Sequence, residues 1–144
     1  MISNKSYYGI SALVYLAINS RGGHVGVKDI ATHQNIPLRF LELIFSRLKA
    51  AEIVNSVRGA GGGYYLSRTP DQVTLAEIIF ACEGMSEFVV PTSLAERVNH
   101  DEPVGKTLVK IINRQLANLQ ENLKSVTLSD VIQASGLSSE MYWI

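Results

Sequence analysis

Over the first fifty positions, apolar residues recur at three- and four-residue spacing, the period of helices with one buried stripe. From about Ser6 to Asn19 the stripe is Tyr7, Ile10, Leu13, Val14, Leu16 and Ala17. Arg21-Gly22-Gly23-His24 ends it, because adjacent glycines disfavour helix and suit a turn. A short second helix fits Val27 to His33, with Ile30 and Ala31 inward. Asn35-Ile36-Pro37 then interrupts the pattern. Pro37 suits the first turn of a third helix, where its missing N–H is not needed. That helix runs to about Ala51 and sets Leu41, Ile44, Phe45 and Leu48 on one face. Its outer face carries Arg39, Glu42, Leu43, Ser46 and Arg47.

The period then shortens to two. Ile53-Val54-Asn55-Ser56-Val57 alternates as a strand does, and Tyr64-Tyr65-Leu66 reads as a second strand. Between them lies Arg58-Gly59-Ala60-Gly61-Gly62-Gly63. Two short helices alone fit a helical hairpin with a solvated face as well as a helix-turn-helix. A strand, a glycine-rich turn and a strand directly afterwards make the wing of a winged helix. Its glycines allow positive φ and leave no Cβ between backbone and phosphate, and Arg58 sits where a guanidinium enters a minor groove. A dinucleotide cradle is the rival reading of this loop. Such a cradle opens a helix, whereas these glycines lead into two tyrosines and a strand, and no Gly-Lys-Ser/Thr follows.

After Thr69-Pro70, Thr74 and Glu77 form a capping box for a fourth helix that ends near Glu83-Gly84. Residues 85–103 have no clear period, contain Pro91 and Pro103, and read as an irregular loop. A long helix fits Gly105 to Val126. Its Leu108, Ile112, Leu116, Leu119, Leu123 and Val126 step close to the 3.5-residue repeat of a helix–helix seam. The seam either folds back on its own domain or meets a second copy. Pairing is the expectation, because paired subunits read two half-sites. A short helical pattern at Leu128, Val131 and Ile132 precedes an apolar end, Met141-Tyr142-Trp143-Ile144. The chain thus divides into a winged helix-turn-helix at 1–84, an effector-type loop at 85–103, and a dimerisation helix with its tail at 104–144.

Charge sharpens this division. The chain is neutral overall, yet residues 1–70 carry Lys5, Arg21, Lys28, Arg39, Arg47, Lys49, Arg58 and Arg68 against only Asp29, Glu42 and Glu52. Residues 71–144 hold five bases and ten acids. A basic first half facing a polyanion accounts for the split. No apolar run approaches the ~20 residues of a membrane span, and the N-terminus lacks the pattern of a secretory signal. With Cys82 alone no intrachain disulfide forms, so a reducing, cytoplasmic location is expected. Three scattered histidines and one cysteine give neither metal nor catalytic spacing, and no set of nucleophile, base and acid converges, so an enzyme is not expected.

Leu41-Glu42-Leu43-Ile44-Phe45-Ser46-Arg47-Leu48, followed by Val57-Arg58-Gly59-Ala60-Gly61-Gly62-Gly63-Tyr64, is a specific combination. With Val73-Thr74-Leu75-Ala76-Glu77-Ile78-Ile79 and Val126-Thr127-Leu128-Ser129-Asp130-Val131, it resembles the bacterial Rrf-type winged-helix transcriptional regulators, the IscR/NsrR/CymR-like group, over residues 4–132. The resemblance implies a mainly α fold with a small two-stranded wing and a long dimerisation helix. It implies a homodimer that binds double-stranded DNA sequence-specifically, with a small-molecule or protein effector. The DNA-binding set it implies is Lys28, Leu38, Arg39, Phe40, Glu42, Ser46, Arg47, Arg58, Gly59, Gly61, Gly62 and Tyr64. Bases are read from the helix start at Leu38, Arg39, Phe40 and Glu42, and Arg58 matches the family's wing arginine. The dimerisation set is Leu108, Ile112, Leu116, Leu119 and Leu123.

Two departures matter. Leu43 stands where relatives commonly carry glutamine, which changes the implied base preference. Iron–sulfur members carry three cysteines between the fourth and long helices, and residues 85–103 have none. No cysteine-ligated cluster, metal or other cofactor is therefore expected. The remaining alternatives are a sensor using non-cysteine ligands (His100, Glu87, Glu96, Asp101, Glu102, with Cys82) and a regulator that docks a metabolic enzyme.

Overall fold

The structure, a computed structural model, describes residues 2–21, 23–97 and 102–137. Helix α1 spans Asn4–Asn19. It begins two residues before the expected start at Ser6 because Ser3 caps it, its hydroxyl accepting from the Lys5 N–H at 3.2 Å. Ser6, Gly9, Ala12, Leu13, Leu16 and Ala17 are buried along it. Tyr7, expected inside, is 67% exposed, because the tighter α1 seam is built from small residues. Helix α2 spans Val27–Gln34 and ends where Asn35 turns left-handed at φ 52°. Helix α3 spans Leu38–Ala50, with Pro37 as the capping residue just outside it. Leu41, Ile44, Phe45 and Leu48 are buried as the periodicity predicts.

Strands β1 (Val54–Val57) and β2 (Gly63–Leu66) pair antiparallel, from Val54 opposite Leu66 to Val57 opposite Gly63. A 3-10 turn at Pro70–Gln72 leads to α4, Leu75–Glu83. The Thr74/Glu77 capping box forms as predicted, and Gly84 closes the helix at φ 69°. Residues 85–103 are not wholly irregular: α5, Thr92–Arg97, lies within them. It is six residues long and starts directly after Pro91, too short to show a period. Helix α6 spans Pro103–Lys124 and starts earlier than its apolar seam because Glu102 caps it. The Glu102 carboxylate accepts from Val104 N–H at 2.9 Å and Gly105 N–H at 2.7 Å.

The last described helix, α7 (Leu128–Ala134), returns to the first domain. Leu75 N–H donates to Val126 O and Leu128 N–H to Val73 O, both at 2.8 Å, so the starts of α4 and α7 lie side by side. Leu128 and Ile132 are fully buried in the same core as Leu13, Ile44, Phe45 and Ile78. Helix α7 thus packs into the core of the winged helices, while α6 lies against α4 and the segment that follows it. The tail Met141-Tyr142-Trp143-Ile144 lies outside the described residues. Among the described residues, no helix is long and apolar enough to cross a membrane.

Candidate nucleic-acid interface

Burying Leu41, Ile44, Phe45 and Leu48 fixes the rotation of α3 and leaves Arg39, Glu42, Leu43 and Ser46 exposed on its opposite side. Lys28, on the exposed side of α2, borders an open groove of about 400 Å³ with Ala31, Thr32, Ile36 and Leu38. Two cations, a carboxylate, a hydroxyl and an apolar side chain thus project from adjoining helices, and all five are suited to base edges or phosphates.

Four of the expected DNA contacts are partly buried, with side-chain partners inside the protein. Arg47 and Phe40 are seven residues apart, about two turns, so they share one flank of α3 between core and outer face. Arg47 is half-buried there, and its Nη1 donates to the Cys82 carbonyl at 2.6 Å, tying α3 to the end of α4. Phe40 packs edge-on against Tyr8, ring centroids 5.6 Å apart at 84°. Tyr64, on the wing, stacks on Phe45 at 4.5 Å and 29°. Leu38, too, is partly buried against the core. These four side chains are partly buried and packed against neighbours, unlike the exposed Arg39, Glu42, Leu43 and Ser46. Helix periodicity does not fix the burial of Leu38, Phe40 and Arg47, because positions at the edge of a stripe turn either way depending on their neighbours.

The wing is built from its glycines. Gly59 and Gly61 adopt φ values of 104° and 83°, which L side chains rarely take, and Gly62 N–H closes the tip onto Gly59 O at 2.9 Å. A Cβ on Gly62 would collide with the Val57 carbonyl, and one on Gly63 with the Val25 carbonyl. Val25 and Tyr64 exchange backbone hydrogen bonds of 2.9 and 2.8 Å, so the α1–α2 loop adds a bridge to the wing's outer edge. Beside it, His24 Nε2 lies 2.6 Å from the Gly61 carbonyl. Nothing in the spacing of residues signalled this contact. Arg58 is exposed at the base of the tip.

Helix α6 has no fully buried residue. Its Val104, Leu108, Ile111 and Leu119 are 70%, 50%, 50% and 38% exposed, while Ile112, Leu116 and Leu123 are half-buried. Leu108 and Ile111 join Pro103, Val104 and Thr107 around an apolar cleft of about 310 Å³. The five expected seam residues lie on one stripe of α6, within an arc of about 80°, graded from exposed Leu108 and Leu119 to half-buried Ile112, Leu116 and Leu123. The exposed edge of that stripe meets no other element among the described residues, and the half-buried edge turns toward the chain segment after α4. There, Asn113 accepts from Val90 N–H at 2.9 Å and Gln120 from Phe88 N–H at 3.2 Å.

Comparison with known proteins places this geometry. Residues 2–134 match the family model described as "Rrf2: Iron-dependent Transcriptional regulator". The chain belongs to the Rrf2 family. It is 34% identical to the HTH-type transcriptional regulator CymR of Bacillus subtilis over 98% of this chain and 96% of that protein. Identity to IscR of Sodalis glossinidius is 31%, over 91% of this chain and 78% of that one. With IscR of Photorhabdus laumondii, the match is 40% over 82 residues, which is half the length of that relative. The solved structure of B. subtilis CymR, described as a global cysteine regulator, superposes with a TM-score of 0.74 over 93% of this chain and 97% of that one, at 34% identity. A T. potens IscR structure gives 0.67 at 31% identity, over 94% and 88% of the two chains. The expected fold, mainly α with a two-stranded wing, is that of these Rrf2 regulators.

The family model's description implies iron, and the donors described here do not fit it. Cys82, the chain's sole cysteine, is fully buried beneath Gly9. Burial, together with the Glu83 charge and against the Arg47 charge, pushes its thiol up to about 12, far from a ligating thiolate. Among the described residues, no three His, Cys, Asp or Glu side chains are grouped to hold a metal ion. Glu83 is instead committed to α1. Its carboxylate accepts from Ser6 Oγ at 2.5 Å, Ser3 N–H at 2.9 Å and Ser3 Oγ at 2.9 Å. Burial pushes the Glu83 carboxyl up, but these hydrogen bonds outweigh it and hold it below the ordinary glutamate range. His100 and Asp101, also considered as ligands, lie outside the described residues.

Proposed function

We propose that this protein is a cytoplasmic, homodimeric, sequence-specific DNA-binding transcriptional regulator without a catalytic role. In this reading α3 enters the major groove. Arg39 donates to a guanine edge, Glu42 accepts from a cytosine amino group, and Leu43 meets a thymine methyl where relatives commonly carry glutamine. Lys28 contacts phosphate, Ser46 adds a short polar contact, and Arg58 lies in the flanking minor groove. The exposed apolar face of α6 joins two copies so that two α3 helices address two half-sites. A small-molecule or protein effector acts through the segment after α4, and Arg47 ties α3 to the end of α4 from which that segment leaves.

One observation carries the reading. The core-facing stripe of α3 aims Arg39, Glu42, Leu43 and Ser46 outward, with Lys28 exposed on the groove at the start of α3 and Arg58 exposed on the wing.

The test is selection of duplexes from a random-sequence pool, followed by affinity measurements over a salt series. Arg39→Ala is expected to relax the preference at one base pair per half-site. Lys28→Ala is expected to weaken all duplexes alike and to lower the slope of log K against log salt by about two in a dimer, roughly 0.9 for each lost phosphate contact. Failure to enrich any sequence overturns sequence-specific binding. A docking module for another protein would give that result, with the Arg39 and Lys28 variants unaltered.

A further inference from the structure

His24 belongs to neither the reading helix nor the wing, yet its side chain reaches the wing's tip. Its Nε2 lies 2.6 Å from the Gly61 carbonyl. A carbonyl only accepts, so Nε2 carries the hydrogen, and the bond stands in both the neutral Nε2–H tautomer and the imidazolium. Gly61 sits at φ 83° in a loop whose internal closure is the Gly62 N–H bond to Gly59 O. A run of glycines freed of external contacts has many conformations to lose when DNA orders it. The adjoining Val25–Tyr64 bridge fixes the backbone from which His24 projects, and Tyr64 is in turn stacked on Phe45 of α3. A continuous line therefore runs from the reading helix through Tyr64 and Val25 to His24, and back to the tip beside Arg58.

We propose that His24 is a positioning residue for minor-groove contact: it latches the glycine-rich tip so that Arg58 is held in place before DNA arrives. The proposal rests on the DNA-binding reading above. Because the imidazole is exposed, its removal leaves the core intact and acts on the wing.

The test uses the whole protein and a duplex selected by the wild type, in full length and trimmed to remove the flanks beyond the α3 half-sites. His24→Ala, Arg58→Ala and the double variant are compared for affinity and thermal midpoint. His24→Ala is expected to weaken the full duplex about five- to tenfold per subunit, the worth of one pre-formed hydrogen bond, with the midpoint nearly unchanged. The loss should vanish on the trimmed duplex and in the Arg58→Ala background. Equal losses on both duplexes, full additivity with Arg58→Ala, or no loss at all would each overturn the latch while leaving DNA binding standing. If the wild type selects no duplex, the DNA reading itself fails and the latch with it.

Discussion

Gly9 of α1 faces Cys82 of α4, and the two helices meet so closely that a Cβ at position 9 would overlap the Cys82 sulfur. Gly9→Ala therefore sets two effects against each other. Alanine is the better helix former by about 1 kcal/mol, whereas an extra methyl in a filled core costs about 1–3 kcal/mol. The collision is with a fully buried side chain that has little room to move, so the steric cost prevails. With the steric cost in the upper part of its range, about 2–3 kcal/mol, a net loss of about 1–2 kcal/mol is expected, a fall in Tm of roughly 2–8 °C for a chain of this size. The structure also supplies the rescue. With the sulfur removed by Cys82→Ala, the new methyl would meet the position-82 Cβ at 3.8 Å and Ile44 Cγ2 at 3.5 Å, both ordinary contacts. The double variant should then be within about 1 kcal/mol of wild type and more stable than Gly9→Ala, because one methyl replaces one sulfur in the same space. Urea unfolding followed by far-ultraviolet circular dichroism at a fixed protein concentration measures all four proteins. A Gly9→Ala variant as stable as wild type, or additive losses in the double variant, would refute the proposed contact.

Three further outcomes follow from other contacts. Glu83 is held below the ordinary glutamate range, so its contribution to stability is complete above about pH 4.3 and is lost as pH falls through its lower folded-state value. Glu83→Gln should flatten that part of the acid limb, and an unchanged limb in a stability–pH series would remove the clasp from the account. Arg47→Ala should leave the salt slope of DNA binding unchanged while lowering urea stability by about 1–3 kcal/mol, since a half-buried carbonyl loses a charged donor. A drop in slope of the Lys28→Ala kind would return Arg47 to the DNA surface. Leu108→Glu with Ile111→Glu, both half exposed, should convert a dimer to a folded monomer in sedimentation equilibrium. A variant that stays dimeric would move the seam to another face.

Much of this architecture was legible because burial is periodic. Leu41, Ile44, Phe45 and Leu48 set the rotation of α3, and with it the outward course of Arg39, Glu42, Leu43 and Ser46. The capping box at Thr74 and the glycine tip of the wing were readable for a different reason: each depends on local backbone chemistry within a few residues. The side chains whose surroundings periodicity left open share a physical cause. Tyr7, Phe40, Tyr64 and Arg47 lie at margins between faces, where the direction of a side chain is decided by a distant partner, such as the Cys82 carbonyl for Arg47. The His24–Gly61 bond spans thirty-seven positions, and α7 reaches its core across all of α6; neither distance leaves a local signature.

The return of α7 has a consequence for how two such subunits measure DNA. Helix α6 is no swinging arm. At its far end the chain is bolted back at Thr127 beside Thr74, and along its length Asn113 and Gln120 grip the strap that leaves α4. Two subunits joined along α6 would behave as a caliper with a fixed jaw, the gap between reading heads being cast into each monomer. Such an instrument tolerates altered letters within a half-site better than an inserted base pair between half-sites, since an insertion both lengthens the gap and rotates one half-site out of the jaw's reach.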